Sequence, residues 1–404
     1  MGSSWFNEAR YGMFVHFGPY SLAARGEWVA NRECIAQPEY DSGYCRKFNP
    51  REFDADALCQ LAVDGGMGYI VLTTRHHDGY CMWRTATSER NSIAMGADRD
   101  FVEEITTAAR RHGLRIGLYL SAADWFHPDY PSSTARDWPR EWPDAQAHER
   151  MRVYVREQVR ELMSNYGRID VLWWDGCLPR PFDGPEVNRL AKALQPGIMI
   201  NERMCDDAED CWDFRVSEQT TRAKEGPWEA CMTLNDNWGY HAGDSNWKNP
   251  KDVVRLLTAT AGNGGNLLLN VGPRGDGSLP EESSTIIRAV GEWLKDRREF
   301  LSNSGRSPFG WNNYGNVTVK GPALYLHVFN PHPAGVCFAE LANPVKRVRL
   351  LSSGKELSWR KDGRRLLIEG LPLHPEQNIA TTIAIDTEGE PRPVTEQETF
   401  WIPE

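Results

Sequence analysis

The chain has little of what would send it to a membrane, a nucleic acid or a metal. Its first residues, Met1 to Trp5, include no basic stretch leading into an apolar run, and no window approaches 18 uninterrupted apolar residues. Neither a signal peptide nor a membrane span is expected, and the protein reads as cytoplasmic. Positive charge is in deficit: 46 Lys and Arg against 56 Asp and Glu leave a net −10 over 404 residues. That balance argues against nucleic acid and anionic membrane as partners. Nine cysteines, an odd number, occur without a CxxC pair; reduced, mostly buried thiols are expected rather than a disulfide framework or a zinc site. HxH, HExxH and GxSxG patterns are missing, which lowers metallohydrolase and serine-nucleophile chemistry. The glycine run Gly262–Asn266 leads into an apolar strand pattern rather than a helix, so it lacks the helix N-terminus of a phosphate site.

What is present is tryptophan and a regular alternation of elements. There are 16 Trp beside 13 Tyr and 14 Phe, an excess found in sugar-handling proteins and also in large aromatic cores. Apolar runs at Gly12–Gly18, Tyr69–Thr74, Arg115–Ser121, Val171–Asp175, Ile198–Arg203, Trp228–Leu234 and Asn266–Gly272 read as strands. Helical patterns separate them. Asp100 with Glu103 starts one that Gly113 stops; Val155, Val159, Leu162 and Tyr166 share one face of another; Asp252–Thr260 is a third. Strand–helix alternation over about 300 residues predicts an α/β fold, an irregular (β/α)8-like (TIM-type) barrel with seven strands visible. After Ser302–Pro308 the pattern changes. Short strands at Val317–Lys320, Ala323–Phe329, Val345–Leu351, Leu366–Ile368 and Ala380–Ile385 predict a small C-terminal β-sandwich. The domains are therefore read as 1–305 and 306–404.

The C-terminal strand ends of such a barrel carry its active site. Here they present His16, His76 and His77, Ser121 with Trp125, Asp175, Asn201 to Arg203, and Glu229. Asp170 to Gly176 is the most telling segment: four apolar residues, two of them Trp, run into a carboxylate and a glycine. A single polar strand end is most often a loop or cap residue; polar ends on five strands point to a pocket. His76 and His77 are adjacent, so strand geometry would turn them to opposite sides, which argues against a metal site. Carboxylates among indoles are the equipment of glycosidic bond cleavage, where one acid protonates the leaving oxygen and the other attacks or stabilises C1.

At this point the residues resemble the α-L-fucosidases of glycoside hydrolase family 29. The likeness runs through Trp5-Phe6, Arg10 to Gly18, Gly26-Glu27-Trp28, Thr74 to Gly79, Ile169 to Gly176, Asn201-Glu202-Arg203, Trp212 to Gln219, Pro227 to Cys231, Trp238 to Tyr240 and Asn266 to Pro273. It implies a barrel with a C-terminal β-sandwich, agreeing with the pattern above. It also implies a retaining two-carboxylate mechanism on terminal α-L-fucose of a fucosylated oligosaccharide or glycoconjugate, with no cofactor and no metal.

By position, the resemblance makes Asp175 the nucleophile and Glu218 the acid/base, with Glu229 as the alternative. It implies sugar contacts from His16, Glu27, Trp28, His76, His77, Tyr119, Trp173, Arg203 and Trp238. The family often has a second tyrosine where this chain has Leu120, and a smaller residue or a phenylalanine where it has Trp174. Two readings compete: a fucose-binding, lectin-like relative without turnover, and a glycosidase for a related sugar such as α-L-galactose. Linkage, aglycone and oligomeric state are not encoded in these motifs. The inserts Asp124–Pro143 and Asp206–Cys211 are the expected walls of the neighbouring subsite.

Overall fold

The computed structural model describes residues 4–131, 138–139, 141–180, 182–205, 211–310, 312–339 and 341–394. Eight strands form one sheet: β1 (Tyr11–Val15), β2 (Tyr69–Arg75), β3 (Arg115–Ser121), β4 (Val171–Asp175), β5 (Met199–Ile200), β6 (Arg215–Glu218), β7 (Trp228–Thr233) and β8 (Asn266–Val271). Their order is β5-β4-β3-β2-β1-β8-β7-β6, and every ladder is parallel. Side chains alternate across it. Phe14, Tyr69, Tyr119, Trp173 and Leu268 fill the barrel interior, while Met13, Val15, Leu118, Leu172 and Trp174 pack outward with the helices.

The sheet does not close by a ladder. β5 and β6 meet through a single bridge, Asn201 with Phe214, and the Asp213 N–H donates to Ile200 O at 2.7 Å. Side chains complete the joint. Asn201 exchanges two hydrogen bonds of 3.0 Å with the Trp174 backbone, and the Glu202 carboxylate accepts the Val216 N–H at 3.0 Å. The eighth strand, β6, escapes a pattern reading because three of its four residues (Arg215, Ser217, Glu218) are polar.

Helices begin where a cap is available. Asp100 accepts the Glu103 N–H at 2.9 Å and opens Phe101–Arg111; Asp144 opens Ala145–Asn165, ten residues ahead of the first apolar position read from periodicity. Asn249 and Asp252 form a capping box at the start of Pro250–Gly262.

The C-terminal strands are β9 (Gly315–Lys320), β10 (Ala323–Val328), β11 (Val336–Phe338), β12 (Val345–Leu350), β13 (Ser358–Asp362), β14 (Arg365–Glu369) and β15 (Thr381–Thr387). They build two antiparallel sheets, β12-β15-β10-β9 and β11-β14-β13, around Leu324, Leu326, Leu366, Ile368, Ile383 and Ile385. β11 and β13 were not foreseen: one has three residues, and the other is a largely exposed, charged edge strand. The last ten residues of the polar tail lie outside the described residues.

One sequence expectation fails. Cys205 and Cys211 form a disulfide, whereas the other seven cysteines are free. The six-residue spacing carries no motif. Buried Asn188 touches both ends, donating to Cys211 O at 2.9 Å and to Cys205 Sγ at 3.2 Å.

The sandwich is fastened to the barrel by Trp293, fully buried in the helix Glu281–Leu294, whose indole N–H donates to Ala380 O at 2.8 Å. Trp293→Ala should lower stability by about 3–5 kcal/mol through the cavity and the orphaned carbonyl. Denaturant unfolding would measure it, and a loss under about 1 kcal/mol would contradict this view of the junction.

Candidate active site

One cavity of about 190 Å³ opens at the C-terminal ends of the barrel strands; the site residues that the family resemblance implied line it except Glu229, whereas the strand-end candidates Ser121, Trp125, Asn201 and Glu202 do not. His16 follows β1, His76 and His77 follow β2, Tyr119 lies near the end of β3, and Trp173 and Asp175 end β4. Arg203 follows β5, and Glu218 ends β6. Phe14, Trp138 and Cys231 also line it. Phe14 was findable, since it precedes His16 by two residues on a strand and so shares its face. Trp138 sits in an irregular insert where no period applies. Of the two inserts expected to wall the next subsite, residues 132–137, 140 and 206–210 lie outside the described residues.

The expectation that His76 and His77 face opposite ways is wrong: both rings line the cavity, 4.1 Å apart. Strand β2 ends at Arg75, its register slips between Thr73 and Arg75, and the two-residue period no longer holds beyond it. In the same loop Arg75 and Asp78 are structural. Arg75 is buried over the Tyr154 ring at 4.8 Å, and Asp78 accepts the Tyr40 hydroxyl at 2.8 Å. Gly79 adopts φ 74°, where any Cβ would collide with the Asp124 carboxylate.

Asp175 is the best-connected carboxylate of the cavity. Its Oδ1 accepts Arg203 Nη1–H at 2.5 Å, and its Oδ2 accepts the Tyr119 hydroxyl at 2.9 Å. Burial would push its pKa up, but Arg203, with further help from His77 and the Tyr119 hydrogen bond, holds it below the ordinary carboxylate value. The other arm of the same guanidinium donates to Glu218 Oε2 at 2.6 Å. Arg203 also stacks over Trp173, its Cζ 4.8 Å from the ring centre. One cation thus holds two carboxylates: Asp175 against the cavity wall, and Glu218, whose side chain is 46% exposed, at the rim.

The histidines are neutral hydrogen-bond partners. The Asn270 amide donates to Trp238 O at 2.7 Å, which turns its oxygen to His16 Nδ1 at 2.6 Å. The Ser121 hydroxyl donates to Ala123 O and so accepts from His77 Nδ1–H at 2.7 Å. In both rings Nε2 is left as an acceptor. Burial pushes His16 down to about 3 and His77 down to about 4, and His76 is lowered as well. Glu27 is raised by burial, an effect opposed by the Gly239 N–H, which it accepts at 2.7 Å. Among the described residues, no three His, Cys, Asp or Glu side chains are placed to hold a metal ion.

Two sequence questions have structural answers. Trp174 points away from the cavity and donates to Asn188 Oδ1 at 2.8 Å, so its size is a packing matter. Glu229, read as a strand-end residue, is the second residue of β7 and lies on the barrel floor. It is fully buried, accepting the Tyr69 hydroxyl at 2.5 Å and the Trp173 indole N–H at 2.9 Å. Burial raises it to about 7, despite both hydrogen bonds.

Paired carboxylates, a bridging arginine, hydrogen-bonding histidines and indole walls at the top of a barrel define a glycoside hydrolase site. Residues 2–299 match the α-L-fucosidase family, and the chain belongs to that family. It is 33% identical to α-L-fucosidase isoenzyme 1 from Paenibacillus thiaminolyticus; the superposition covers 96% of this chain and 99% of that one, with a TM-score of 0.88. It is 27% identical to the tissue α-L-fucosidase of Bos taurus, over 94% of this chain and 87% of that protein. The fold also matches an α-L-fucosidase from Bacteroides thetaiotaomicron trapped as a covalent intermediate, with 23% identity, coverage of 96% of each chain and a TM-score of 0.86.

The placement of Glu229 has a measurable consequence. A carboxyl raised from its ordinary 4.5 to about 7 keeps its proton in the folded state while the unfolded chain loses it. The stability it contributes is therefore complete below pH 4.5 and is lost as pH rises to about 7. Unfolding midpoints of the native protein relative to Glu229→Gln should decline across that window; a constant difference would show that Glu229 is ionised throughout.

Proposed function

We propose that the protein is a retaining α-L-fucosidase that removes terminal α-L-fucose from a fucosylated glycan, with Asp175 as nucleophile and Glu218 as acid/base. The observation that carries this assignment is the Arg203 fork, which holds one carboxylate deep in the pocket and the other at its rim. Asp175 is ionised at neutral pH, and its Oδ1 and Oδ2 are oriented by Arg203 and Tyr119. It attacks C1 of the fucoside while Glu218 gives its proton to the glycosidic oxygen. The bond from C1 to the aglycone breaks as the bond to Asp175 forms. Glu218, now a carboxylate, then takes a proton from water as the water oxygen attacks C1 and frees Asp175.

Arg203 is a positioning residue in this scheme. It keeps the nucleophile charged and bonds both carboxylates through one guanidinium; a retaining mechanism uses two carboxyl groups about 5–5.5 Å apart. The Nε2 acceptors of His16 and His77 suit sugar hydroxyls. Phe14 and Trp238 supply an apolar wall for the C6 methyl group, which would disfavour a C6 hydroxyl by about 10²-fold or less. Slow turnover of α-L-galactosides follows from that limit. Glu229, facing two donors on the floor, is assigned no proton transfer.

Release of nitrophenol from 4-nitrophenyl α-L-fucoside, with the α-L- and β-D-galactosides alongside, tests the reading directly. Asp175→Ala should lose activity by about 10³-fold or more while still binding fucose. Glu218→Gln should lose about 10²–10⁴-fold on poor leaving groups, much less on activated ones, and regain rate with added azide. A fully active Glu218→Gln would refute the acid/base assignment. The acid limb of the kcat/KM profile should lie below the ordinary carboxylate range and move upward in Arg203→Met, because removing the cation leaves burial to raise Asp175. An unmoved limb would place its origin elsewhere.

A further inference from the structure

We propose that the indoles of Trp28, Trp125 and Trp138 form the binding site for the aglycone sugar: a hexopyranose of gluco or galacto configuration that stacks on this rim while its fucose occupies the cavity. The proposal rests on the fucosidase reading and specifies what lies on the far side of the scissile bond. Three observations support it.

The first is geometry. The Trp28 ring centre lies 4.9 Å from Trp125 and 5.2 Å from Trp138, in edge-to-face contacts. Trp28 and Trp138 line the cavity, and Trp125 extends the cluster beyond it. His77 anchors the group: its ring is 5.2 Å from Trp125 and 4.9 Å from Trp138, and its carbonyl accepts the Trp125 N–H at 2.8 Å.

The second is exposure. Tryptophans that serve the core of this protein, such as Trp174, Trp228 and Trp293, are fully buried. The three indoles of the rim are each only half-buried. A partly exposed indole beside a polar pocket keeps apolar area in water, at a cost that an apolar ligand face removes.

The third is position. A cavity of about 190 Å³ accommodates a single sugar ring, so the next ring must lie just outside the mouth, on the side of the acid/base. Trp28 and Glu218 line the same cavity, Glu218 at its exposed rim. Exposed Arg32 lies over Trp28, Cζ 5.8 Å from the ring centre, and adds guanidinium donors for hydroxyls at the same rim. A pyranose of gluco or galacto configuration offers a face of C–H bonds to an indole and keeps its hydroxyls at the edge, in water and near Arg32. A flat apolar aglycone would gain the stacking without the polar contacts.

The experiment compares kcat/KM for α-L-fucosyl fluoride with that for the fucosyl disaccharide cleaved best among α-1,2-, α-1,3-, α-1,4- and α-1,6-linked galactose and N-acetylglucosamine compounds. Fluoride needs no proton and occupies no aglycone site, so it isolates chemistry at the fucose. In Trp125→Ala the ratio of disaccharide to fluoride should fall by about tenfold, mainly through KM, and Trp125→Phe should restore most of it. A ratio unchanged within about twofold, or equal loss on both substrates, would make Trp125 a buttress of His77 and overturn the subsite while the fucosidase reading stands. Failure of the native protein to hydrolyse fucosyl fluoride would overturn the fucosidase reading, and the subsite with it.

Discussion

The ion pair that Arg203 makes with Asp175 and Glu218 organises everything above the barrel floor. In a pocket of low dielectric, burial alone would drive the Asp175 carboxylate to keep its proton. A guanidinium that cannot lose its charge removes that penalty and fixes the geometry through two separate N–H donors. A lysine in this position would supply the charge without the fork. Arg203 is itself held flat by Trp173, whose indole is hydrogen-bonded to Glu229, which in turn accepts Tyr69. Each layer of the barrel interior therefore orients the one above it, and Asp175 sits at the top of that stack.

The electrostatics around the stack divide the labour. Burial drives the three histidines neutral, so they add no cation to compete with Arg203 and offer lone pairs to hydroxyls. The same burial raises Glu229 and Glu27. Asp175 also feels burial but is shifted the other way, because Arg203, with His77 and the Tyr119 hydrogen bond, outweighs it. Burial is common to all these groups; their partners decide which of them is charged.

Much of this was legible in the sequence, and the failures have physical causes. The barrel and the sandwich followed from periodicity and caps, and His16, His76, His77, Asp175 and Arg203 from strand ends, because each of these is local; Glu27, Trp28, Tyr119, Trp173, Glu218 and Trp238 came only through the family resemblance. The strand β6 was missed because only Val216 of its four residues joins the core, so it carries no apolar period. His76 and His77 were turned the wrong way by applying strand geometry past the end of a strand. Glu229 was misplaced for the opposite reason: it stands at the start of its strand, and composition cannot tell the floor of a barrel from its rim. The Cys205–Cys211 bond closes around Asn188, a residue seventeen positions from one of them, and nothing in the spacing signals it.

The segment Asn201-Glu202-Arg203 shows why this barrel is irregular where it works. Strand β5 is two residues long, too short to close the sheet, and the three residues after it take over. The Asn201 side chain pairs with the backbone of β4 as a further ladder residue would, and Glu202 reaches across the joint to accept the Val216 N–H of β6. Arg203 completes the crossing by joining the carboxylate that ends β4 to the one that ends β6. A regular ladder would satisfy the backbone better, but it would commit these side chains to alternate faces and leave no cation between the two acids. The joint is held instead by side chains, and one of the residues that hold it also ties Asp175 and Glu218 together.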